Sequence, residues 1–238
     1  MLWIVVSAFI VASISLWFGY RHLLYLDQIT PRNLSFTLLA VVFIFLILQW
    51  MNRAGLFPEA VAGATMANAY ASVFGFFTGA AVQQYFQKTE SGDIVYVNRS
   101  FWTDIVPNVI AIGLILFGIQ RTSLLSDLPF TPIRVTSGLS IMAIGLYSFT
   151  IRLIPEFRKN GLILLDRKIK WDNFITYSWY SENVIEIEYK RNDTLKSFKT
   201  MIPNEDHLLI EKILSDKIKE RLEKEEFDEY EDLDNDNL

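Results

Sequence analysis

Two stretches of this chain carry no charge over nearly the length that a helix needs to cross a bilayer, and they constrain everything else. Residues 1–20 contain no Asp, Glu, Lys, Arg or His, and residues 33–51 contain none either. A hydrocarbon layer about 30 Å thick is crossed by about 20 apolar residues in helical form. Three further stretches, 60–82, 105–120 and 133–151, are less uniformly apolar and are read as additional spans. The fourth is the shortest, and Arg134 sits at the edge of the fifth. Residues 1–20 lack the basic leader and the small-x-small cleavage site of a secretory signal, so they are expected to stay as an anchor. The sequence therefore predicts an α-helical polytopic membrane domain of about five transmembrane helices over residues 1–154.

Composition sharpens the division. Of 238 residues 51% are hydrophobic, yet the net charge of −5 averages unlike parts. Residues 223–238 hold nine acids and one lysine, a net −8, which leaves +3 for the rest. Like charges at that density favour a disordered tail. Cysteine is absent, which excludes disulfides, thiolate nucleophiles and cysteine-bound metal.

Basic residues near short loops orient a membrane protein, because they stay cytoplasmic. With five spans, one side collects Arg21, Arg32, Lys88, Arg99, Arg152, Arg158, Lys159, Arg167, Lys168 and Lys170. The other holds Arg53, Arg121 and Arg134. Ten against three places the N-terminus outside and the C-terminal domain in the cytoplasm, as a multi-pass protein of the cell (inner) membrane.

Ionisable residues inside a span are costly and mark ion or proton pathways. The five span cores contain none, Arg134 lying at an edge, which argues against a pump acting alone. Intramembrane proteases and metal-dependent lipid enzymes need carboxylates or histidines at depth. The only histidines are His22 and His207, neither with a partner at ligand spacing, and no cofactor or metal is expected. Asp232, Asp234 and Asp236 lack the glycine and distal glutamate of a calcium loop.

Within the third span Gly63, Ala67, Ala71, Gly75 and Gly79 recur every fourth residue. That spacing makes one stripe where a second backbone can approach closely. Packing within the chain is the simplest use; a subunit interface or a conduit wall are the alternatives. The following loop holds Ser91-Gly92-Asp93 and then Ile94-Val95-Tyr96-Val97, a turn and a short strand that is expected to pack on the polar domain. Trp3, Trp17, Trp50, Phe101 and Trp102 suit interfacial anchoring.

Pro155 is expected to end the fifth helix. Beyond it, Asn160-Gly161 marks a turn, residues 162–165 a strand, and residues 174–180 a longer apolar-aromatic strand. Residues 184–190 alternate, with Ile185, Ile187 and Tyr189 on one face. Asn192-Asp193 turns the chain into another strand at 195–202. Short strands at this spacing predict an antiparallel meander. Asn204 is placed to cap a closing helix whose apolar face is Leu209, Ile210, Ile213, Leu214, Ile218 and Leu222.

The order Gly161-Leu162-Ile163-Leu164, then Ile169-Lys170-Trp171-Asp172-Asn173-Phe174, then Tyr177-Ser178-Trp179-Tyr180, then an alternating strand and a helix resembles the small bacterial pleckstrin-homology-like (PH-like) domains attached to membrane helices. The resemblance covers residues 158–222 and none of the spans. It implies a partly open antiparallel β barrel with a C-terminal helix over residues 155–222, with residues 223–238 as tail, and it implies no catalytic residue. The strand at 94–97 is available to complete the barrel.

Arg167, Lys168 and Lys170 lie on or beside a hairpin close to the membrane, where anionic lipid attracts each by about 1 kcal/mol. Generic contact with the membrane surface ranks above recognition of a specific lipid. The function expected is a non-enzymatic scaffold or regulatory subunit whose cytoplasmic domain binds a protein or a membrane surface. A subunit of a channel or transport complex is the alternative, and a lipid-modifying enzyme the least favoured. Expected partners are membrane lipids, other membrane subunits or further copies of the chain, and a cytoplasmic protein; nucleic acid is not expected.

Overall fold

The computed structural model describes residues 2–21, 30–56, 58–125, 129–191 and 193–235. His22, Asn192 and Asp236 lie outside them. By backbone proximity the chain divides into two compact units: Met1–Gln87 with Ser100–Ile151, and Lys88–Arg99 with Arg152–Leu238.

The first unit is helical: α1 (Leu2–Tyr20), α2 (Pro31–Arg53), α3 (Glu59–Glu90, whose last turn belongs to the second unit), α4 (Val106–Arg121) and α5 (Pro132–Thr150). A single turn of π-helix, Phe101–Ile105, leads into α4. Among the described residues four helices are long and apolar enough to cross a membrane: Leu2–Tyr20, Pro31–Arg53, Ala60–Glu90 and Phe101–Arg121. α5 is not among them: Arg134 and the hydroxyls of Thr136, Ser137, Ser140 and Ser148 dilute its apolar residues. Those hydroxyls bond to carbonyls of the preceding turn, as Ser148 does to Ile144 at 2.8 Å, so the helix hides most of its own polarity.

α2 and α5 begin alike. A threonine, Thr30 or Thr131, accepts a hydrogen bond from the backbone N–H three residues on, and a proline fills the first helical position, where no N–H is needed. α1 is apolar on every side and leaves Phe9, Trp3 and Trp17 exposed, unlike the one-sided helices of a water-soluble core.

The second unit contains, among the described residues, seven antiparallel strands in two sheets and one long helix. The first sheet has the order β1-β2-β3-β4: β1 (Ile94–Val97), β2 (Arg152–Arg158), β3 (Gly161–Leu165) and β4 (Arg167–Ile169). The second is β5 (Phe174–Ser181), β6 (Val184–Arg191) and β7 (Thr194–Met201). The helix α6 (His207–Asn235) follows a 3-10 turn at Asn204–Asp206. β1 comes from the loop between α3 and α4 and pairs with β2, setting Tyr96 opposite Phe157.

One core joins these parts: Tyr96, Phe157, Leu162, Ile169, Phe174, Ile185, Ile187, Tyr189, Ile202, Ile210 and Leu214. The alternation of β6 is as expected, with Ile185, Ile187 and Tyr189 all buried. On α6 the expected apolar face is too wide. Ile210 and Leu214 are fully buried and Ile213 and Ile218 pack beside them, while Leu209 and Leu222 are about half exposed.

Three expectations are corrected. Pro155 does not end α5, which stops at Thr150; it lies inside β2, where the pairing slips between Arg152 and Glu156, and a bulge tolerates a residue with no N–H to donate. Asn204 makes no side-chain cap, because a 3-10 turn begun by Pro203 precedes the helix. The stretch expected to be disordered from residue 223 is helical to Asn235, continuous with the turns in which Lys219 pairs with Glu223.

Candidate functional site

The small-residue stripe divides between two neighbours inside the first unit. A Cβ added at Gly75 or Gly79 would collide with the carbonyl oxygen of Ala12 or Leu16 on α1, and one at Gly19 with that of Phe76 on α3. α1 and α3 therefore meet backbone to backbone. Ala67 and Ala71 are buried. Gly63 instead faces α5, with the Ile133 side chain 3.8 Å from where its Cβ would stand. Nearby, Ser140 of α5 donates to the Tyr70 carbonyl of α3 at 2.7 Å.

A second close approach joins α4 and α5, which the stripe did not announce. A Cβ on Gly118 would lie 2.7 Å from the Gly138 oxygen, and one on Gly138 equally close to the Gly118 oxygen. Its signal in the sequence is two glycines on neighbouring helices rather than a repeat on one.

The basic trio at the β3–β4 hairpin is not displayed together on one face. Successive side chains of a strand point to opposite faces, so Arg167 and Ile169 turn inward and Lys168 and Lys170 outward. Arg167 is 8% exposed. Lys168 pairs with Glu90 at 3.6 Å, and only Lys170 is openly exposed.

The charged residues that do converge are on β2. Glu156 is buried and receives the Arg158 guanidinium at 2.6 Å and 2.9 Å, with Arg152 Nε at 2.6 Å on its other oxygen. Arg158 Nη1 continues to the carbonyls of Lys88 and Gly92 at 3.1 and 2.9 Å. This clasp ties the 88–92 segment, and with it β1, to the sheet; a guanidinium at the last carbonyls of α3 also suits the negative end of that helix.

An open recess of the second unit lies where β5, the 204–206 turn and α6 meet. A hollow of about 400 Å³ is lined by Trp179, Ser181, Glu182, Asn204, His207 and Glu211. The Trp179 and His207 rings stack with centroids 4.0 Å apart, and the indole N–H donates to Glu211 at 2.7 Å. His207 Nε2 lies 3.3 Å from the Ile202 carbonyl. Alternation along β5 sends Tyr177 and Trp179 toward α6, and burial, assisted by the Glu211 carboxylate, raises the Tyr177 pKa. The floor is thus fixed by aromatic stacking, and the rim carries two carboxylates.

Next to this recess Tyr96 of β1 donates to Asp206 at 2.7 Å, and Asn98 Nδ2 donates to the Met201 carbonyl at 3.1 Å. Burial first, and the bond to Asp206 second, push the Tyr96 pKa well above the usual tyrosine value. Among the described residues no group of three or more histidines, cysteines or carboxylates is arranged to hold a metal ion.

Residues 153–219 match the model of a domain of unknown function, DUF5673. No curated protein and no solved structure matches the chain. The matched segment spans β2 to β7 and the first 13 of the 29 residues of α6, and leaves out β1.

Proposed function

We propose that this chain is a non-enzymatic membrane scaffold or regulatory subunit, in which the long apolar helices span the cell membrane and a PH-like domain in the cytoplasm binds a protein partner. The observation that carries the reading is the Trp179–His207–Glu211 recess. Its aromatic floor is rigid, and its two carboxylates, Glu182 and Glu211, suit a basic side chain presented by another protein. Support for the PH-like assignment comes from antiparallel strands followed by one C-terminal helix, the elements the resemblance implies.

The channel alternative gains less. Gly75 and Gly79 are occupied by the α1 backbone, so that part of the stripe has no room left to line a path.

Affinity purification of the full chain from solubilised membranes, wild type against Trp179→Ala/Glu182→Gln, tests the reading. Co-purifying protein should be lost from the variant while the chain keeps its elution volume. An unchanged set of co-purifying chains, or a ring of this chain alone in both, would count against the scaffold. A fluorescent protein fused after Leu238 should fold and fluoresce in the cytoplasm, whereas an alkaline phosphatase fusion there should be inactive.

A further inference from the structure

The second sheet ends on a strand that runs eight residues without a bulge, Thr194–Met201 pairing one to one with Arg191–Val184. The order β5-β6-β7 puts β7 at the margin, no strand of the described residues lying beyond it. Antiparallel partners alternate between pairs that exchange hydrogen bonds and pairs that do not. The Ile202 N–H donates to the carbonyl of Asn183, directly opposite, at 2.9 Å, and that bond fixes the phase. Thr200, Phe198, Lys196 and Thr194 therefore turn their backbone groups toward β6, and Met201, Lys199, Ser197 and Leu195 turn theirs outward. The Met201 carbonyl accepts from Asn98 Nδ2 at 3.1 Å. Leu195, Ser197 and Lys199 make up the rest of the outward row, and their side chains are exposed, Leu195 at 60%.

A sheet margin is a template for a further strand, and a lysine reaching past it is a common guard. Lys199 is drawn back instead. Its Nζ lies 3.2 Å from the Tyr180 ring centroid on β5 and 3.7 Å from Glu186 on β6. Ser197 also leans over its own sheet, donating to Glu186 at 2.8 Å. The outward row is symmetric about Ser197, so a second copy running antiparallel matches it group for group: Ser197 meets Ser197, and Leu195 meets Lys199 in both directions. Each such pair exchanges two hydrogen bonds. The same twofold sets Lys196 opposite Phe198, so no lysine stands directly opposite a lysine, an arrangement that would repel. A twofold moved to Lys199 would oppose the two lysines and would set Ser197 against Met201, whose carbonyl is already held. The match selects a second copy over an unrelated segment.

We infer that β7 is the interface for a second copy of this chain, the two strands pairing antiparallel about a twofold axis at Ser197. Such a contact is isologous and closes at two copies. The Trp179 recess lies on β5, the opposite margin of the same sheet, so the dimer leaves it open and neither reading depends on the other.

The chain has no cysteine, so one introduced thiol reports on one position. Opposed residues of a hydrogen-bonded pair have Cα atoms about 5.5 Å apart, within reach of a disulfide. In intact cells treated with a membrane-permeant thiol oxidant, the full tagged chain carrying Ser197→Cys should move to twice its mass on a non-reducing gel. Its yield should be about tenfold above that of Ser178→Cys, on the same face of β5. Leu195→Cys and Lys199→Cys should each stay monomeric alone and cross-link when co-expressed with distinguishable tags. Adding Ser197→Pro to both should abolish that product, because proline removes an N–H that the dimer uses and the sheet does not. Equal yields from Ser197→Cys and Ser178→Cys overturn the interface. A mixed product that survives Ser197→Pro overturns the strand pairing, and Leu195→Cys cross-linking with itself overturns the position of the twofold. A product of any mass other than double assigns the margin to a different protein and overturns self-pairing. Should Ser197→Cys fail to accumulate, the co-expressed pair decides, and no mixed product there overturns the proposal.

Discussion

At the scale of single residues, the positions that matter most are those where a side chain's absence or charge has no substitute. Gly75→Leu and Gly79→Leu would each drive a side chain into the α1 backbone, and overpacking of that kind costs about 1–3 kcal/mol or more. The expected result is a lower melting temperature in detergent, with Gly113→Leu, where nothing stands near the added Cβ, close to wild type. Glu156→Gln would leave two guanidinium groups facing a neutral amide and should cost about 3 kcal/mol by chemical denaturation of the second unit's signal. Tyr96 makes a pH prediction. Its pKa is raised in the folded chain, so the stability it contributes is complete below the unfolded value of about 10 and is lost as pH climbs through the folded value. Melting curves should fall more steeply above about pH 10 for wild type than for Tyr96→Phe. The glycine stripe was legible because period four is a property of sequence alone. The Glu156 clasp was not: Arg152, Glu156 and Arg158 share a face only if the segment is a strand, and Pro155 reads as a helix stop.

At the scale of elements, burial decided what periodicity left open. β6 was readable to the residue, because one face meets the core and the other water. β4 was not, because three residues are too few to alternate visibly, and Arg167 looks like its solvent-facing neighbours. α6 was legible as a helix and misjudged in width: an apolar residue at the edge of the stripe is neither required nor forbidden to touch the sheet. Leu214→Ala should leave a cavity and cost about 2–5 kcal/mol, whereas Leu222→Ala should shift the melting temperature little. The same comparison separates the part of α6 that packs from the part that runs on. Hydrogen exchange in α6 should therefore slow at residues 210–218 and quicken beyond 223.

At the scale of the whole molecule, composition alone divided the chain into an apolar part and a polar one, and the structure retains that division with an exchange of territory. Lys88–Arg99 belongs with the sheets although it is flanked by helices of the other unit. The loan was legible in the sequence as far as the strand and its destination, since Ser91-Gly92-Asp93 turns the chain into Ile94-Val95-Tyr96-Val97; the partner strand and its register, Tyr96 opposite Phe157, were not, because β2 lies beyond two helices. Replacing residues 94–97 with Gly-Ser repeats should expose the β2 edge and lose the Tyr96–Asp206 bond. The expected readout is rapid proteolysis within 152–201, with helix content of the first unit retained by circular dichroism.

The borrowed strand also sets a timetable. During synthesis Ile94–Val97 leaves the ribosome first and waits, for seconds at ordinary rates, while α4 and α5 are made and β2 emerges to meet it. When Tyr96 and Phe157 come opposite each other, the pairing closes a non-covalent ring around the helical hairpin between them. Completion of the sheet thus waits on the synthesis of that whole hairpin, and a fragment cut at residue 153 would begin life with its first partner missing.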